Sequence, residues 1–299
     1  HLDFGDYKDS DVFLLKQNVH RGIGEWFPKA DLMDIAASIQ KVTEQTIAMI
    51  MQQASELVDS PNLCYQGGVS LNCVANHIPT KWFDNVWIMP NPGDSGNALG
   101  AALAQRNDYV VWKTPYLGTN IPGLYPVDKA LDLLLKGEIF GIASGQAEYG
   151  PRALGNRSIV CDPNIPDMKD ILNSKVKFRE WYRPFAPFCK KEDAPKYFNS
   201  YSFENLEFMS YAPRVKVDTL PSITHVDGTA RLQTVTEESH SHFYELLTEF
   251  GKLSDTNVLL NTSFNIRGYP ILSTIEDALY ALENTEMDYV VIEDYLFTS

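Results

Sequence analysis

The sequence predicts an α/β protein of two successive units, and three observations lead to this prediction. A chain of 299 residues with 44% hydrophobic residues is long and apolar enough to build two cores. In its first third, strand-like apolar runs alternate with glycine-bearing loops and helical patterns, which is typical of an α/β layer. Around residues 110–137 the chain becomes rich in Pro, Gly and Tyr and loses its periodicity. We therefore expect one unit over residues 1–125 and a second over residues 126–299.

The first unit is predicted to begin with a long helix. Asp31 is the expected N-cap, and Ile35, Ile39 and Val42 recur at helical spacing over about 25 residues. The stretch NLCYQGGVSLNCVANHI then predicts a short strand, a Gly-Gly turn and a helix starting at Leu71. DNVWIMP predicts another strand, and NPGDSGNALGAALAQ predicts a loop that leads into a helix.

The second unit mixes helices and strands in an irregular order. Periodicity predicts a helix in DKALDLLLKG, a strand in EIFGIASG, and helices near residues 166–176 and 239–253. NVLLN predicts a strand, TIEDALYALENT a helix and MDYVVIEDYLF one final strand. This order is typical of an α+β unit, and the pattern alone gives no topology.

Charge and composition narrow the classes of function. With 25 Lys and Arg against 39 Asp and Glu, the formal net charge is −14, which argues against nucleic acid as a partner. No stretch reaches the ~18 apolar residues of a membrane span, and no signal segment opens the chain. The chain starts without Met, so we expect a fragment or processed product. The four cysteines show no CxxC spacing and are interpreted as buried thiols of a cytoplasmic protein without zinc.

Two glycine-bearing turns in the first unit have the composition of ligand loops. Gly67 and Gly68 lie between a predicted strand and helix, where backbone N–H groups can bind a phosphate. Asp94 lies between two glycines, where a short carboxylate can hold a metal ion. Each turn taken alone is better explained as a structural Gly-rich turn, with Asp94 as a helix N-cap, because Gly-Gly turns are common.

Cations cluster in the second unit, against the acidic balance of the chain. Arg152 and Arg157 lie in the glycine-flanked stretch YGPRALGNRSI, and Lys177 and Arg183 lie in KVKFREWYRPFAPF among aromatic residues. A solvated basic face, a nucleic-acid surface and a pocket for a small polyanion are the three interpretations. The Pro and Gly residues that restrict these loops, and the use of Arg as a fork-shaped donor, favour the polyanion pocket.

Two further stretches can contribute to the same pocket. In TARLQTV, Arg231 and Gln233 share a face if the segment is a strand. In LLNTSFNIRGYPI an apolar run ends in hydrogen-bonding groups, and Asn265 and Arg267 point to one side if the chain stays extended. His225, just before TARLQTV, is either a general base or a structural histidine.

Six stretches together resemble the NodU/CmcH-type O-carbamoyltransferase family, which transfers a carbamoyl group to a hydroxyl of a natural product or signalling sugar. They occur in the family's order from about residue 30 to the end. The stretches are QGGVSLNCVAN, PGDSGNALGAAL, YGPRALGNRSI, FREWYRPFAPF, VDGTARLQTV and LNTSFNIRGYPI.

The resemblance implies a fold and a reaction for each unit. The first unit would be part of an actin/sugar-kinase-like α/β lobe that binds nucleotide and metal. The second would be a YrdC-like α/β domain that makes carbamoyl-adenylate from carbamoyl phosphate and ATP. The carbamoyl group would then pass to a hydroxyl-bearing small-molecule acceptor. The implied cofactors are ATP and a divalent metal, namely Mg²⁺ with ATP and, as an alternative in the actin-like unit, Fe²⁺. Whether the chain forms a homodimer is left open by the resemblance.

Carrying the family's motifs over residue by residue gives three groups of predicted site residues. The catalytic residues are Arg152, Lys177, Arg183, Arg231, Asn265 and Arg267. The substrate- and nucleotide-binding residues are Gly67, Gly68, Asn72, Arg157, Gln233, Asn261 and Ser263, and the metal ligand is Asp94.

The chain departs from the family at its start. Members begin with a first lobe that carries paired metal-binding histidines, whereas here only His1, His20 and His77 precede Asp94 and none forms an HxxxH pair. We therefore expect the C-terminal part of such an enzyme, with Asp94 lacking its co-ligands. A threonylcarbamoyl-adenylate-forming YrdC-type enzyme and a non-catalytic nucleotide- or polyanion-binding module are the alternatives.

Overall fold

The structure is a computed structural model that describes residues 27–106, 110–200, 202 and 204–299. The chain divides into two compact units, residues 1–59 and residues 60–299. The predicted boundary after residue 125 lies inside the second unit and stays a prediction. His1 and His20, which entered the prediction of a missing lobe, lie outside the described residues.

The described part of the unit 1–59 contains the long helix α1 (Leu32–Leu57), which confirms the predicted helix. The carboxylate of Asp31 caps it by accepting a hydrogen bond from the backbone N–H of Met33 at 2.7 Å. No helix in the described ranges is both long enough and apolar enough to span a bilayer.

The second unit opens with a small parallel pair of strands, β1 (Asn62–Cys64) and β2 (Asn85–Trp87). The predicted α-helix from Leu71 is wrong, because this segment forms only short 3₁₀ turns. Asn72 and Asn76 compete with a helix by bonding locally: Asn72 Oδ1 accepts from the N–H of Ala75 at 3.2 Å, and Asn76 Nδ2 donates to Ser70 O at 2.7 Å. The helix α2 (Asn97–Arg106) follows as predicted.

Eleven further strands are described in this unit. In chain order they are β3 (Tyr116–Ile121), β4 (Phe140–Ala143), β5 (Gly145–Glu148), β6 (Arg157–Cys161), β7 (Ala186–Lys190), β8 (Phe198–Asn199), β9 (Arg214–Val215), β10 (Gln233–Val235), β11 (Val258–Ser263), β12 (Tyr289–Ile292) and β13 (Tyr295–Thr298). Seven of them form one sheet in the order β10–β7–β11–β6–β4–β12–β13, while β3 pairs with β5 and β8 with β9.

The large sheet is mixed. β11 runs antiparallel to both of its neighbours, β6 and β7, whereas β4 runs parallel to β12 and β10 runs parallel to β7. The predicted single final strand is instead the hairpin β12–β13, because the chain turns at Glu293, whose φ is 52°. A mixed sheet of this kind confirms the α/β class of the prediction.

Helices cover both faces of the sheet. Alternation along β4 sends Phe140 and Ile142 into one core and Ala143 into the other, as the two-residue period of a strand requires. The first core includes residues of α3 and α6, and the second includes residues of α4 and α7. The helices are α3 (Val127–Leu135), α4 (Met168–Ile171, continued by a π turn Leu172–Val176), α5 (Ala194–Tyr197), α6 (Ser241–Leu253) and α7 (Ile275–Glu283).

The cysteines differ from the prediction at one position. All four are free, and Cys73, Cys161 and Cys189 are buried as expected, but Cys64, at the end of β1 in the separate two-stranded sheet β1–β2, is exposed.

Candidate functional site

The ends of several strands lie side by side along one edge of the large sheet. β4 ends at Ala143, opposite Arg157, where β6 begins. β11 ends at Ser263, opposite the start of β6, and Ala186 at the start of β7 lies opposite Asn261. The loops after β4 and β11 and the loops before β6 and β7 therefore meet at this edge. Five of the six predicted catalytic residues lie in these loops, and the sixth, Arg231, lies before β10.

A cavity of about 460 Å³ opens between two of these loops. Glu148, Gly150 and Pro151 line it on one side, and Ser263, Asn265 and Tyr269 line it on the other. This volume falls within the range of small-molecule sites. Ser263 and Asn265, both predicted site residues, thus belong to the wall of one cavity.

Lys177 lies behind that wall and is buried. Its Nζ donates to the backbone oxygen and Oδ1 of Asn265, at 3.2 and 2.8 Å, and to the backbone oxygen of Ser263 at 2.5 Å. Within the described ranges no carboxylate forms an ion pair with it. Burial, with the nearby Arg179, lowers the pKa of Lys177 to about 7. An anion bound here would supply the missing negative charge.

This arrangement predicts that anion binding depends on pH. Above pH 7 the empty site holds mostly neutral amine, so binding an anion must take up a proton. We expect the affinity for sulfate, which does not titrate near neutral pH, to fall about tenfold per pH unit above 7. Calorimetry in buffers of different ionisation enthalpy should show proton uptake at pH 8 and almost none at pH 6.

The same lowered pKa gives an independent check on the sulfate-free protein. At pH values between about 7, the pKa of Lys177 in the folded chain, and the ordinary lysine pKa, Lys177 is protonated in the unfolded chain but mostly neutral in the folded chain. The free energy of unfolding should therefore rise with pH across this window through the Lys177 contribution. A sulfate affinity that does not change between pH 6 and 8.5 would contradict the assignment of Lys177 as the anion-binding group.

Three arginines surround Glu180 next to Lys177. Arg183 Nε pairs with Glu180 Oε2 at 2.9 Å, and Arg267 Nη1 donates to Phe178 O at 2.9 Å, both on the exposed surface. Arg179 lies over the ring of Phe185 at 4.6 Å. Burial and the neighbouring Arg183 lower the pKa of Arg179 to about 10. The predicted residues Lys177, Arg183 and Arg267 are thus brought together.

Arg152 and Arg231 form a second cationic pair. Arg231 Nε donates to Cys73 Sγ at 3.0 Å, and Arg152 lines a small cleft together with Ser70 and Ser210. Burial and the charge of Arg231 lower the pKa of Arg152 to about 10. No ion pair with a carboxylate is seen for either arginine in the parts of the chain described. The pair has the character of an anion site, but no described hydrogen bond joins it to Lys177.

Three of the predicted ligand-binding residues use their donors inside the protein. The Arg157 guanidinium is fully buried and donates to the backbone oxygens of Ser144, Asn156 and Thr119 at 2.8–2.9 Å. Gln233 Nε2 donates to Leu154 O at 3.1 Å, and Asn261 Nδ2 donates to Ala153 O at 3.0 Å. The contacts of Gln233 and Asn261 hold the loop of residues 150–157, and those of Arg157 join β6 to the backbone at Ser144 and Thr119.

The predicted residues Gly67, Gly68 and Asn72 belong to the segment whose Ser70 lines the cleft of Arg152 and whose Cys73 accepts a hydrogen bond from Arg231. Gly67 has φ 109° and its N–H donates to Pro92 O at 2.7 Å, while Gly68 begins a 3₁₀ turn that ends before Asn72. Asp94 is exposed. Among the described residues, no three His, Cys, Asp or Glu side chains cluster as metal ligands. Asp94 therefore does not fit a metal with the residues described, and no chemical step is assigned to one.

The comparison with known families gives an independent assignment. The model of the carbamoyltransferase C-terminus matches residues 131–299, and the model of the carbamoyltransferase N-terminus matches residues 5–103. The chain belongs to the carbamoyltransferase family. This confirms the family inferred from the six sequence stretches.

Individual relatives agree with the family assignment. The nodulation protein NolO of Bradyrhizobium diazoefficiens is 35% identical, covering 88% of this chain and 54% of NolO. Nodulation protein U of Rhizobium tropici is also 35% identical, over 98% of this chain and 52% of its own length. The chain spans about half the length of the curated relatives it matches. A crystal structure of full-length HypF, in a phosphate- and nucleotide-bound form, has a TM-score of 0.40 and 18% identity over 57% of this chain and 20% of HypF.

Glu148 is a residue of the site that the sequence did not reveal. Its Oε1 accepts the backbone N–H groups of Leu154, Asn156 and Arg157 at 2.7, 2.8 and 3.3 Å. Burial raises the pKa of Glu148, and these backbone hydrogen bonds oppose the rise. The signal available in the sequence was an acid inside an otherwise cationic glycine-rich stretch, QAEYGPRALGNR.

Proposed function

We propose that this chain is part of an ATP-dependent O-carbamoyltransferase, and that residues 126–299 make carbamoyl-adenylate from carbamoyl phosphate and ATP. One observation carries the proposal. Buried Lys177, which has no carboxylate partner among the residues that the structure describes, donates hydrogen bonds to the wall of a cavity, and Arg183 and Arg267 lie nearby at the same sheet edge. Such cations bind anionic ligands, and membership of the carbamoyltransferase family indicates which anions.

The proposed chemistry matches this set of side chains. Water first attacks the phosphorus of carbamoyl phosphate, and cleavage of its bond to the carbamoyl oxygen gives carbamate and inorganic phosphate. A carbamate oxygen then attacks the α-phosphorus of ATP, and the bond from that phosphorus to the bridging oxygen breaks and releases pyrophosphate. Both reactants are anions, so the site must neutralise charge in the transition state. Lys177, Arg183 and Arg267 would supply positive charge, and the amide of Asn265 would position the ligand. A side-chain nucleophile is not required.

The acceptor step belongs to the proposal for the whole protein. The carbamoyl group would pass from the adenylate to a hydroxyl of a small molecule, near residues 1–125. The names of NolO and nodulation protein U are compatible with a sugar of nodulation signalling as acceptor. Gly67, Gly68, Asn72 and Asp94 would contribute to that site, and ATP would bring its own Mg²⁺.

The alternatives can be separated by ATP–pyrophosphate exchange with different co-substrates. The proposed function predicts exchange that requires carbamoyl phosphate. A threonylcarbamoyl-adenylate-forming enzyme would instead require threonine and bicarbonate. A non-catalytic polyanion-binding module would bind ATP, shown by calorimetry, and give no exchange with either co-substrate.

A further inference from the structure

Two aromatic side chains form the tip of an exposed turn. The N–H of Arg183 donates to the backbone oxygen of Glu180 at 3.2 Å, so Trp181 and Tyr182 are the two central residues of this turn. They are 68% and 49% exposed. Turns of this kind usually carry Gly, Pro, Asn, Asp or Ser at their tips. A large aromatic pair in this place, exposed to water, favours a role in binding over a role in packing.

Hydrogen bonds from the interior hold the turn in place. The buried Asn173 donates through Nδ2 to the backbone oxygens of Trp181 and Arg183, at 3.3 and 2.9 Å. Arg179 Nε donates to Asn173 Oδ1 at 2.7 Å. Before the turn, Phe178 has φ 48°, a conformation that a bulky side chain adopts only where the surrounding structure imposes it. The aromatic pair is therefore presented on a fixed backbone, which lowers the entropic cost of binding a ligand.

Positive charge lies close to the aromatic pair. A hydrogen bond from its own backbone N–H lowers the pKa of Glu180, and so do the charges of three arginines, Arg183, Arg267 and Arg179. Three guanidinium groups thus act on one carboxylate, so positive charge is in excess here. Arg267 Nη1 donates to Phe178 O at 2.9 Å, which ties the loop after β11 to the segment before the turn. Arg183 and Arg267 are exposed, so a ligand in solution can reach both side chains.

A nucleoside triphosphate offers both kinds of partner that this surface can bind. Its base has two flat faces, and any base can stack on an aromatic side chain. Its phosphates accept charge-assisted hydrogen bonds from guanidinium groups. A neutral sugar can also stack on Trp181, but it would leave the charges of Arg183 and Arg267 without a partner.

We propose that Trp181 and Tyr182 form a stacking platform for the adenine ring of ATP, and that Arg183 and Arg267 bind its phosphates. This inference rests on the proposed function, because it names the part of the chain that receives the base of the nucleotide used there. The platform contributes binding energy and takes no part in the bond changes at the α-phosphorus. Removing the indole ring should therefore weaken the binding of ATP but not that of a polyphosphate without a base.

Two substitutions of Trp181 separate stacking from charge. Trp181→Leu removes the aromatic face and keeps an apolar side chain, whereas Trp181→Phe keeps a smaller aromatic face. Calorimetry with ATP and with tripolyphosphate, each with Mg²⁺, would compare both variants with the unchanged chain. Tyr295→Leu, on the edge strand β13 and 66% exposed in the unchanged chain, is the matched control for the loss of an exposed aromatic ring.

We expect Trp181→Leu to bind ATP at least about 10-fold more weakly than the unchanged chain, the usual order of effect for one base stacked on one aromatic residue. Its affinity for tripolyphosphate should stay within about 2-fold, and Trp181→Phe should recover most of the affinity for ATP. Tyr295→Leu should bind both ligands as the unchanged chain does. Equal losses for ATP and tripolyphosphate in Trp181→Leu, or an unchanged affinity for ATP, overturn the inference.

Fluorescence reports directly on contact with the base. Trp181 is exposed, whereas Trp82, Trp87 and Trp112 are half-buried. ATP should quench the tryptophan emission of the unchanged chain, and tripolyphosphate should not. The quenching should be lost in Trp181→Phe, and quenching that persists in this variant contradicts stacking on Trp181.

A second copy of the chain is the other occupant that an exposed aromatic pair can bind. Sedimentation of the unchanged chain and of Trp181→Leu tests this alternative. A dimer that dissociates in Trp181→Leu, with the affinity for ATP unchanged, would make the pair a protein contact and overturn the inference.

The outcome for Trp181 can be told apart from the outcome for the proposed function. ATP binding that depends on Trp181, in a chain without ATP–pyrophosphate exchange, supports the stacking platform and contradicts adenylate formation. Exchange that requires carbamoyl phosphate, and that needs no more ATP in Trp181→Leu than in the unchanged chain, leaves the proposed function standing and overturns the platform.

Discussion

The Lys177→Met variant should lose most of its carbamoyl-phosphate-dependent ATP–pyrophosphate exchange while keeping its fold. Methionine fills a similar volume with an unbranched chain, but it removes the amine that binds Ser263 and Asn265. A hydrogen bond to a charged group contributes about 1.5–3 kcal/mol. The concentration of carbamoyl phosphate required for half-maximal exchange should therefore rise ~10- to 100-fold.

A neighbouring lysine provides the control. Lys175 is exposed and pairs with Glu286 at 3.5 Å, so Lys175→Met should leave exchange nearly unchanged. The melting temperature of Lys177→Met should stay close to that of the unchanged chain, because the loss of the hydrogen bonds to Ser263 and Asn265 is offset by removal of a buried charge that has no carboxylate partner in the described ranges. Equal losses of exchange in the two variants would contradict a specific role for Lys177.

The Gly155→Ala variant should show a large loss of stability. Gly155 has φ 127°, a region that alanine rarely adopts. An added Cβ would lie 2.7 Å from the ring of Phe243 and 2.9 Å from His240 Nε2. Backbone strain and overpacking together should cost at least about 3 kcal/mol. Thermal unfolding should show a melting temperature lower by roughly 6–12 °C.

Gly100→Ala is the matched control for that substitution. Gly100 lies in the helix α2, and a Cβ there would meet nothing within 4 Å. The change should be neutral or stabilising by about 0.5–1 kcal/mol, since alanine favours a helix more than glycine does. Similar melting temperatures for Gly155→Ala and Gly100→Ala would show that the 150–157 loop can relax around an added methyl group.

His240 lies against Gly155 and links two segments of the fold. Its Nδ1 accepts the backbone N–H of Phe243 at 3.2 Å, so Nε2 carries the proton and donates to Asn156 Oδ1 at 3.0 Å. Burial, with the nearby His242, lowers the pKa of His240 to about 3. The neutral ring thus joins the start of α6 to the 150–157 loop and stays neutral at physiological pH.

The elements with strong local signals were predictable from the sequence. The helix α1 follows from its cap at Asp31 and its apolar period, and the buried strand β11 follows from its apolar run. The wrong helix at Leu71 shows the limit of such patterns, because Asn72 and Asn76 bond to nearby backbone instead. The final hairpin was missed because its turn at Glu293 has no Gly, Asn or Pro to mark it.

The residue types of the site were easier to predict from the sequence than the hydrogen-bond partners of their side chains. The sequence shows that Arg157, Gln233 and Asn261 are hydrogen-bond donors. Only the fold shows that Gln233 and Asn261 donate to backbone oxygens of the 150–157 loop, and that Arg157 donates to those of Ser144 and Thr119. Glu148 was missed because a single acid next to arginines is usually part of a solvated surface. Its role depends on burial, which arises from tertiary packing.

The most direct test of adenylate formation is to identify which bond of ATP breaks when carbamoyl phosphate is present. Attack by carbamate on the α-phosphorus predicts AMP-containing product and pyrophosphate, formed only with both substrates and lost in Lys177→Met. Release of ADP and inorganic phosphate would place the attack at the γ-phosphorus instead. That result would contradict a carbamoyl-adenylate made at this sheet edge.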